Sequence, residues 1–161
     1  VLSLAATAPA GAARSGEMSG NDTSQITTLV RDYLQDRADL VTNESPHRGF
    51  GVATSADLSE RLRVDASKLE DRRQTLNSVN GGYSRAEVRV TGEKLTPVGH
   101  DQVRVELTEA TTLHFQRSEP GSPTFEEYRL PHSATVTRTG DRWQLASVVA
   151  RLAAGAPAPS T

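Results

Sequence analysis

Four stretches between Tyr83 and Arg151 repeat with a period of two, and this constrains the fold more than any other feature of the chain. Val88 and Val90 alternate with Glu87, Arg89 and Thr91. Val103, Val105, Leu107, Thr111, Leu113 and Phe115 alternate with Arg104, Glu106, Thr108, Thr112, His114 and Gln116. Successive side chains of a strand point to opposite faces, so the alternation predicts strands with one buried face. The predicted strands run over Tyr83–Leu95, Val103–Arg117, Glu126–Arg138 and Arg142–Arg151. No helical pattern separates them. Parallel neighbours need a long crossover, so the sheet is expected to be antiparallel.

Turn chemistry then suggests the pairing. Thr139-Gly140-Asp141-Arg142 predicts a tight hairpin with Thr139 opposite Arg142. That places Val136 opposite Leu145, Ala134 opposite Ser147 and His132 opposite Val149. Pro120, Gly121 and Pro123 mark the preceding loop. With Arg117 facing Glu126 across it, Phe115 meets Tyr128, Leu113 meets Leu130 and Thr111 meets His132. Leu95 falls out of phase with Val88 and Val90, and a bulge near Thr91-Gly92-Glu93 restores the inward direction.

Two helical patterns precede the strands. Thr23–Asn43 carries Ile26, Leu29, Val30, Tyr33, Leu34, Leu40 and Val41 at helical spacing, with Thr23 or Ser24 as cap. Its other face presents Arg31, Asp32, Gln35 and Asp36. Pro46, Gly49 and Gly51 predict a loop, tacked to the core by Phe50 and Val52. A second helix is expected over Ala56–Ser78, with Leu58, Leu62, Ala66, Leu69, Arg73 and Leu76 recurring at helical spacing, Val64 extra, and a charge-laced solvated face between them. Asn80-Gly81-Gly82 stops it. Helices before strands predict an α+β layer architecture. The expected form is two or three N-terminal helices packed on the concave side of a strongly curved four-stranded antiparallel sheet, a cone-like or cystatin-like roll.

The ends differ in composition. Val1–Ala13 is apolar and small-residue-rich, and reads as a signal-peptide remnant without its basic start, the alternative being a disordered Ala-rich linker. Residues 14–22 read as a flexible arm, and 152–161 as a Pro/Ala-rich linker leading to a further C-terminal domain. The domain proper is expected over 23–151. Secretion is inferred from the signal-like start. Thirteen residues are too few to span a bilayer. With 18 basic and 20 acidic residues, charge gives no case for nucleic acid. The chain has no cysteine, which excludes disulfides, thiolate metal sites and a cysteine nucleophile within it.

Candidate chemistry centres on the inward polar positions Glu109, Thr111, His132 and Ser147. His132 paired with Glu109 is the catalytic candidate. The default alternative is a structural histidine with an ordinary hydrogen-bond partner. Tyr128 and Trp143, with Phe115, are the candidate ligand-binding residues, or else core anchors. His114 is expected outward, while His47 and His100 lie in loops. No histidine pair has metal-motif spacing, and neither a metal nor a cofactor is expected. Arg129, Arg138, Arg142 and Arg151 lie near Glu126, Glu127 and Asp141, which predicts surface ion pairs.

The helix–helix–four-strand order resembles the nuclear-transport-factor-2-like cone fold, which hosts both enzymes and binding modules. In enzymes of that fold an interior His paired with a carboxylate can act as general base. A narrower resemblance lies in Asp32–Ala38 (DYLQDRA), Tyr83–Val88 (YSRAEV) and Glu127–His132 (EYRLPH). These segments resemble the N-terminal region of secreted actinobacterial proteins carrying an amidase domain. In such proteins a papain-like hydrolase domain with a cysteine nucleophile follows. The resemblance implies a non-catalytic accessory domain whose partner is a downstream hydrolase domain in the same polypeptide. The alternative is a stand-alone small-ligand-binding or catalytic cone domain with its pocket around His132. Self-association as a homodimer through the sheet is a third expectation.

Overall fold

Ser19 starts the first helix. Its hydroxyl accepts from the Asp22 amide at 3.0 Å and donates to the Asp22 carboxylate at 2.8 Å, which satisfies a free first-turn donor. The computed structural model of the chain describes residues 18–45 and 47–151. Helix α1 spans Gly20–Asp39, three residues earlier than the expected Thr23 start. The last residues of the expected arm are therefore helical, and Met18 packs against the core. The expected signal remnant, the rest of the arm and the C-terminal linker lie outside the described residues.

Helix α1 buries Ile26, Val30, Tyr33, Leu34 and Ala38. Helix α2 spans Ala56–Leu76, with Ser55 accepting from the Leu58 amide at 3.3 Å. It buries only Leu58 and Leu62; Ala66, Leu69 and Leu76 are half-buried. Its second half is held by polar contacts, with Arg73 reaching Glu70 and the Asn43 carbonyl oxygen of the side chain at 3.1 Å. These are the two helices found among the described residues, and neither is long and apolar enough to cross a membrane.

The strands are β1 (Tyr83–Pro97), β2 (Gln102–Phe115), β3 (Phe125–Thr139) and β4 (Arg142–Ala150). They form one antiparallel sheet in chain order, β1-β2-β3-β4. The two helices and the inward side chains of the sheet share one core, with Val103, Val105, Leu107, Ala134, Val136, Trp143 and Leu145 all buried. Segment 42–55 links the two sheet edges: Thr42 bridges Tyr83 on β1, and Thr54 bridges Leu145 on β4.

The β1 bulge falls between Thr91 and Lys94 as predicted, with Gly92 at a φ of 63°, a conformation that favours glycine. Two registers differ from expectation. Across β2 and β3 the faces agree but the strands are displaced: Thr111 pairs with Tyr128, Glu109 with Leu130 and Leu107 with His132. The cause lies past Phe115. Gln116 and Arg117 donate to the carbonyls of Gly82 and Asn80 at 2.8 and 3.1 Å, so β2 leaves β3 early and the connecting loop is longer. Between β3 and β4 the hairpin begins as predicted, with Thr139 opposite Arg142 and Val136 opposite Leu145. An extra residue at Ala146 then shifts the pairing, so Ala134 meets Val148 and His132 meets Ala150. The bulge reverses the later positions. Val148 packs against the core, Val149 is 60% exposed, and Ser147 leaves the inward set.

This phase reversal sets a stability contrast. Leu145→Ala should destabilise the fold by about 2–5 kcal/mol through a core cavity, whereas Val149→Ala should stay within about 0.5 kcal/mol. Urea unfolding of the two variants checks it; a larger loss at Val149 would return β4 to the unbulged register.

Candidate functional site

Glu109, Thr111, Tyr128 and His132 form one cluster on the inward face of β2 and β3. The pairing explains how. Glu109 lies opposite Leu130, and side chains two apart share a strand face. Thr111 is therefore its inward neighbour on β2, while Tyr128 and His132 flank it diagonally on β3. The Thr111 hydroxyl donates to Glu109 Oε1 at 2.5 Å, and the Tyr128 hydroxyl to the same oxygen at 3.0 Å. His132 Nε2 lies 2.6 Å from Glu109 Oε2. Glu109 is 1% exposed and His132 4%.

Burial alone pushes the Glu109 carboxyl up, because a charged carboxylate loses its hydration. The hydrogen bonds from His132 and Thr111, the His132 charge and the Tyr128 hydroxyl act against this, and together they hold it below its ordinary 4.5. The Tyr128 hydroxyl is pushed up to about 12, chiefly by burial and then by the Glu109 charge, so it remains a donor. With Glu109 ionised, His132 Nε2 carries a proton toward it. His132 Nδ1 is buried and has no hydrogen-bond partner among the described residues.

The sequence candidates therefore separate. His132, Glu109 and Tyr128 come together, and Trp143 does not join them. Trp143 donates from Nε1 to Asp22 at 2.9 Å, tying the first turn of α1 to β4, and Arg138 lies 5.5 Å over its ring. Phe115 stacks on Tyr83. Ser147 is out of phase with the cluster. His114 faces outward beside Glu87 at 3.4 Å. Among the arginines, Arg151 reaches Glu106 at 2.6 Å and Arg129 lies 3.9 Å from Glu127. No group of metal-binding side chains occurs among the described residues.

A groove of about 880 Å³ lies elsewhere, between α1 and residues 47–52. Ser24, Thr28, Asp32 and Asp36, at every fourth position of α1, form one wall. Leu29, Phe50 and Val52 supply apolar surface, and Trp143 closes one end. The 47–52 segment is fixed by the Gly51 amide, which donates to Asp36 Oδ2 at 2.8 Å, and by Phe50 stacked on Tyr33 at 5.2 Å. Gln35 holds α1 to β1, donating to the Ala86 carbonyl at 3.0 Å and accepting from the Val88 amide at 3.1 Å. Sequence periodicity assigns this α1 face to solvent. The signal that could have found the groove is the pair Phe50 and Val52, two apolar residues in a Gly-rich loop that must cover something. None of the Glu109 cluster lines this groove or the small cavity near Leu76 and Phe115.

No family model and no curated protein matches the chain. Solved structures do. The intermembrane-space region of the chloroplast protein ARC6 is 9% identical with a TM-score of 0.50, covering 84% of this chain and 98% of that one. The Kfla4162 protein of Kribbella flavida is 15% identical with a TM-score of 0.49, covering 81% and 89%. A protein from the NTF2-like family of Streptomyces avermitilis is 16% identical with a TM-score of 0.48, covering 80% and 93%. At these identities the likeness concerns fold alone. Two helices with a four-stranded antiparallel sheet make an α+β domain.

The lowered Glu109 value has a definite sign. Its stabilisation is fully present above the ordinary 4.5 and is lost as pH falls through the lower folded value. Glu109→Gln should cost about 1–3 kcal/mol at neutral pH by leaving buried donors poorly paired. It should also remove part of the acid-induced stability loss below pH 4.5. Urea midpoints from pH 7 to pH 3 measure both; wild-type and variant curves that stay parallel would remove Glu109 from the acid response.

Proposed function

We propose that this chain is a non-catalytic binding domain that uses the groove beside α1 rather than the Glu109 cluster. The observation that carries this reading is the closure of Glu109. It is 1% exposed and both its oxygens already have close partners. A general base, or the carboxylate behind it, needs a path to the proton being moved, and neither described cavity touches the cluster. The groove is concave and mixed in character, the usual form of a binding site. The segments Asp32–Ala38, Tyr83–Val88 and Glu127–His132 resemble the N-terminal region of secreted amidase-domain proteins. They support the narrower reading of a secreted accessory domain serving a hydrolase domain on the same polypeptide. The absence of cysteine from this chain agrees with a non-catalytic share of that work.

One observation favours a second reading. His132 Nδ1 is buried without a partner, while Nε2 is held by a carboxylate. That is the arrangement of a base awaiting a ligand, in a stand-alone cone domain.

Two measurements on the purified chain separate the readings. Incubation with amide and peptidoglycan-fragment substrates should give no turnover. Titration of the ¹⁵N-labelled chain with a small-molecule library should shift amides at Ser24–Asp36 and His47–Val52. Turnover abolished by His132→Ala, or shifts centred on Thr111, Tyr128 and His132, would overturn the groove reading in favour of the second.

A further inference from the structure

Among the described residues Asn80 is the one non-glycine residue with a positive φ, 50°, a left-handed conformation that asparagine visits more readily than most side chains. Gly81 and Gly82 follow it at 74° and 77°. All three carbonyls of this turn are committed. That of Asn80 accepts from the Arg117 amide at 3.1 Å, that of Gly82 from the Gln116 amide at 2.8 Å, and that of Gly81 from Asn43 Nδ2 at 2.9 Å. Other groups of the turn are not. The exposed Asn80 side chain makes no hydrogen bond among the described residues, and neither does the Gly81 backbone amide. The Arg117 guanidinium lies against Gly81, where an added Cβ would come 3.0 Å from Nε and 3.2 Å from Nη2. That side chain is exposed and has no ion-pair partner among the described residues.

We propose that Asn80–Gly81 is a site of spontaneous covalent modification, in which water converts the asparagine amide to an acid and Arg117 speeds the conversion. The Gly81 backbone nitrogen gives its proton to solvent and attacks the Asn80 side-chain amide carbon. A C–N bond forms, the amide nitrogen takes up a proton and leaves as ammonia, and a five-membered cyclic imide results. Water then opens the ring at either carbonyl. One opening gives aspartate; the other gives isoaspartate, in which the backbone runs through the side chain. The net change is one water consumed and one ammonia released. Glycine permits the close approach because it carries no Cβ. Negative charge develops on the attacking nitrogen and the amide oxygen, and a fixed cation beside them favours it. Neighbouring asparagines differ: Asn43 commits both its side-chain polar atoms, and Asn77 precedes Ser78 rather than glycine. The isoaspartate form turns the Asn80 carbonyl into a free carboxylate and adds a carbon to the backbone. The Arg117 and Gln116 amides then lose the paired acceptors that draw the end of β2 away from β3.

The test is peptide mapping of the purified chain after incubation in mildly alkaline buffer. Trypsin releases Gln74–Arg85, which contains Asn77 as an internal control. Mass spectrometry should find the amide-to-acid gain at Asn80 and not at Asn77, and an isoaspartate methyltransferase should label this peptide. Arg117→Gln should slow the gain by about two- to fivefold, the rate equivalent of an exposed charge pair. Arg117→Lys should restore most of the rate, because it keeps a cation beside Gly81; an arginine with only a structural role would give both variants the same rate. Asn80→Gly keeps the left-handed backbone and should abolish the labelling. In the aged ¹⁵N-labelled chain the amide signals of Gln116 and Arg117 should move as the gain accumulates. No gain at Asn80, an equal gain at Asn77, or one rate for all three Arg117 forms would overturn the proposal. The last result would mean that the turn reacts as any exposed Asn-Gly pair does.

Discussion

The buried Glu109 carboxylate is the constraint on which the rest of the sheet depends. Removing a carboxylate from water is expensive, and the cost is offset only when its oxygens are well bonded. Here the donors come from Thr111 on the same strand and from Tyr128 and His132 on the next. The two β3 donors lie on either side of Leu130, the residue paired with Glu109. A slip of β3 by two residues would carry one of them away and leave buried polar groups unpaired. The cluster thus fixes the register of β2 and β3 in a way their aliphatic positions do not, because Val, Leu and Ala tolerate exchange of neighbours.

The same constraint shows why fold was more legible than register. Alternation identified all four strands, and helical spacing identified both helices, since each is a local property of the chain. The β1 bulge was legible because Gly92 marks it. The β4 bulge was not: Ala146 is an ordinary strand residue, and only the pairing with β3 reveals the extra position. The β2–β3 register was misread from the Pro/Gly loop, because the competing bonds from Gln116 and Arg117 to the turn at Asn80–Gly82 join residues far apart in sequence. Glu109 and His132 were predicted to share a face from phase alone, and they do. Their hydrogen-bonded geometry needed the corrected register.

The groove was illegible for a different reason. Asp32, Gln35 and Asp36 have the pattern of a solvated helix face, and periodicity cannot tell a face in open water from one walled by a loop. The wall exists because Phe50 stacks on Tyr33 and Gly51 bonds to Asp36. Both contacts also position the surface proposed for binding. The division of labour is then physical. The Glu109 carboxylate and the Thr111 and Tyr128 hydroxyls are spent on holding the sheet in register, whereas the groove wall on α1 presents its polar groups outward.

The account turns on whether Glu109 is a closed, ionised acceptor. Side-chain ¹H–¹⁵N correlation NMR of His132 at neutral pH reads this directly. The account predicts an Nε2–H signal that exchanges slowly with solvent and is lost or strongly shifted in Glu109→Gln. An Nδ1–H tautomer, or an imidazole proton exchanging as fast as that of the exposed His47, would contradict it.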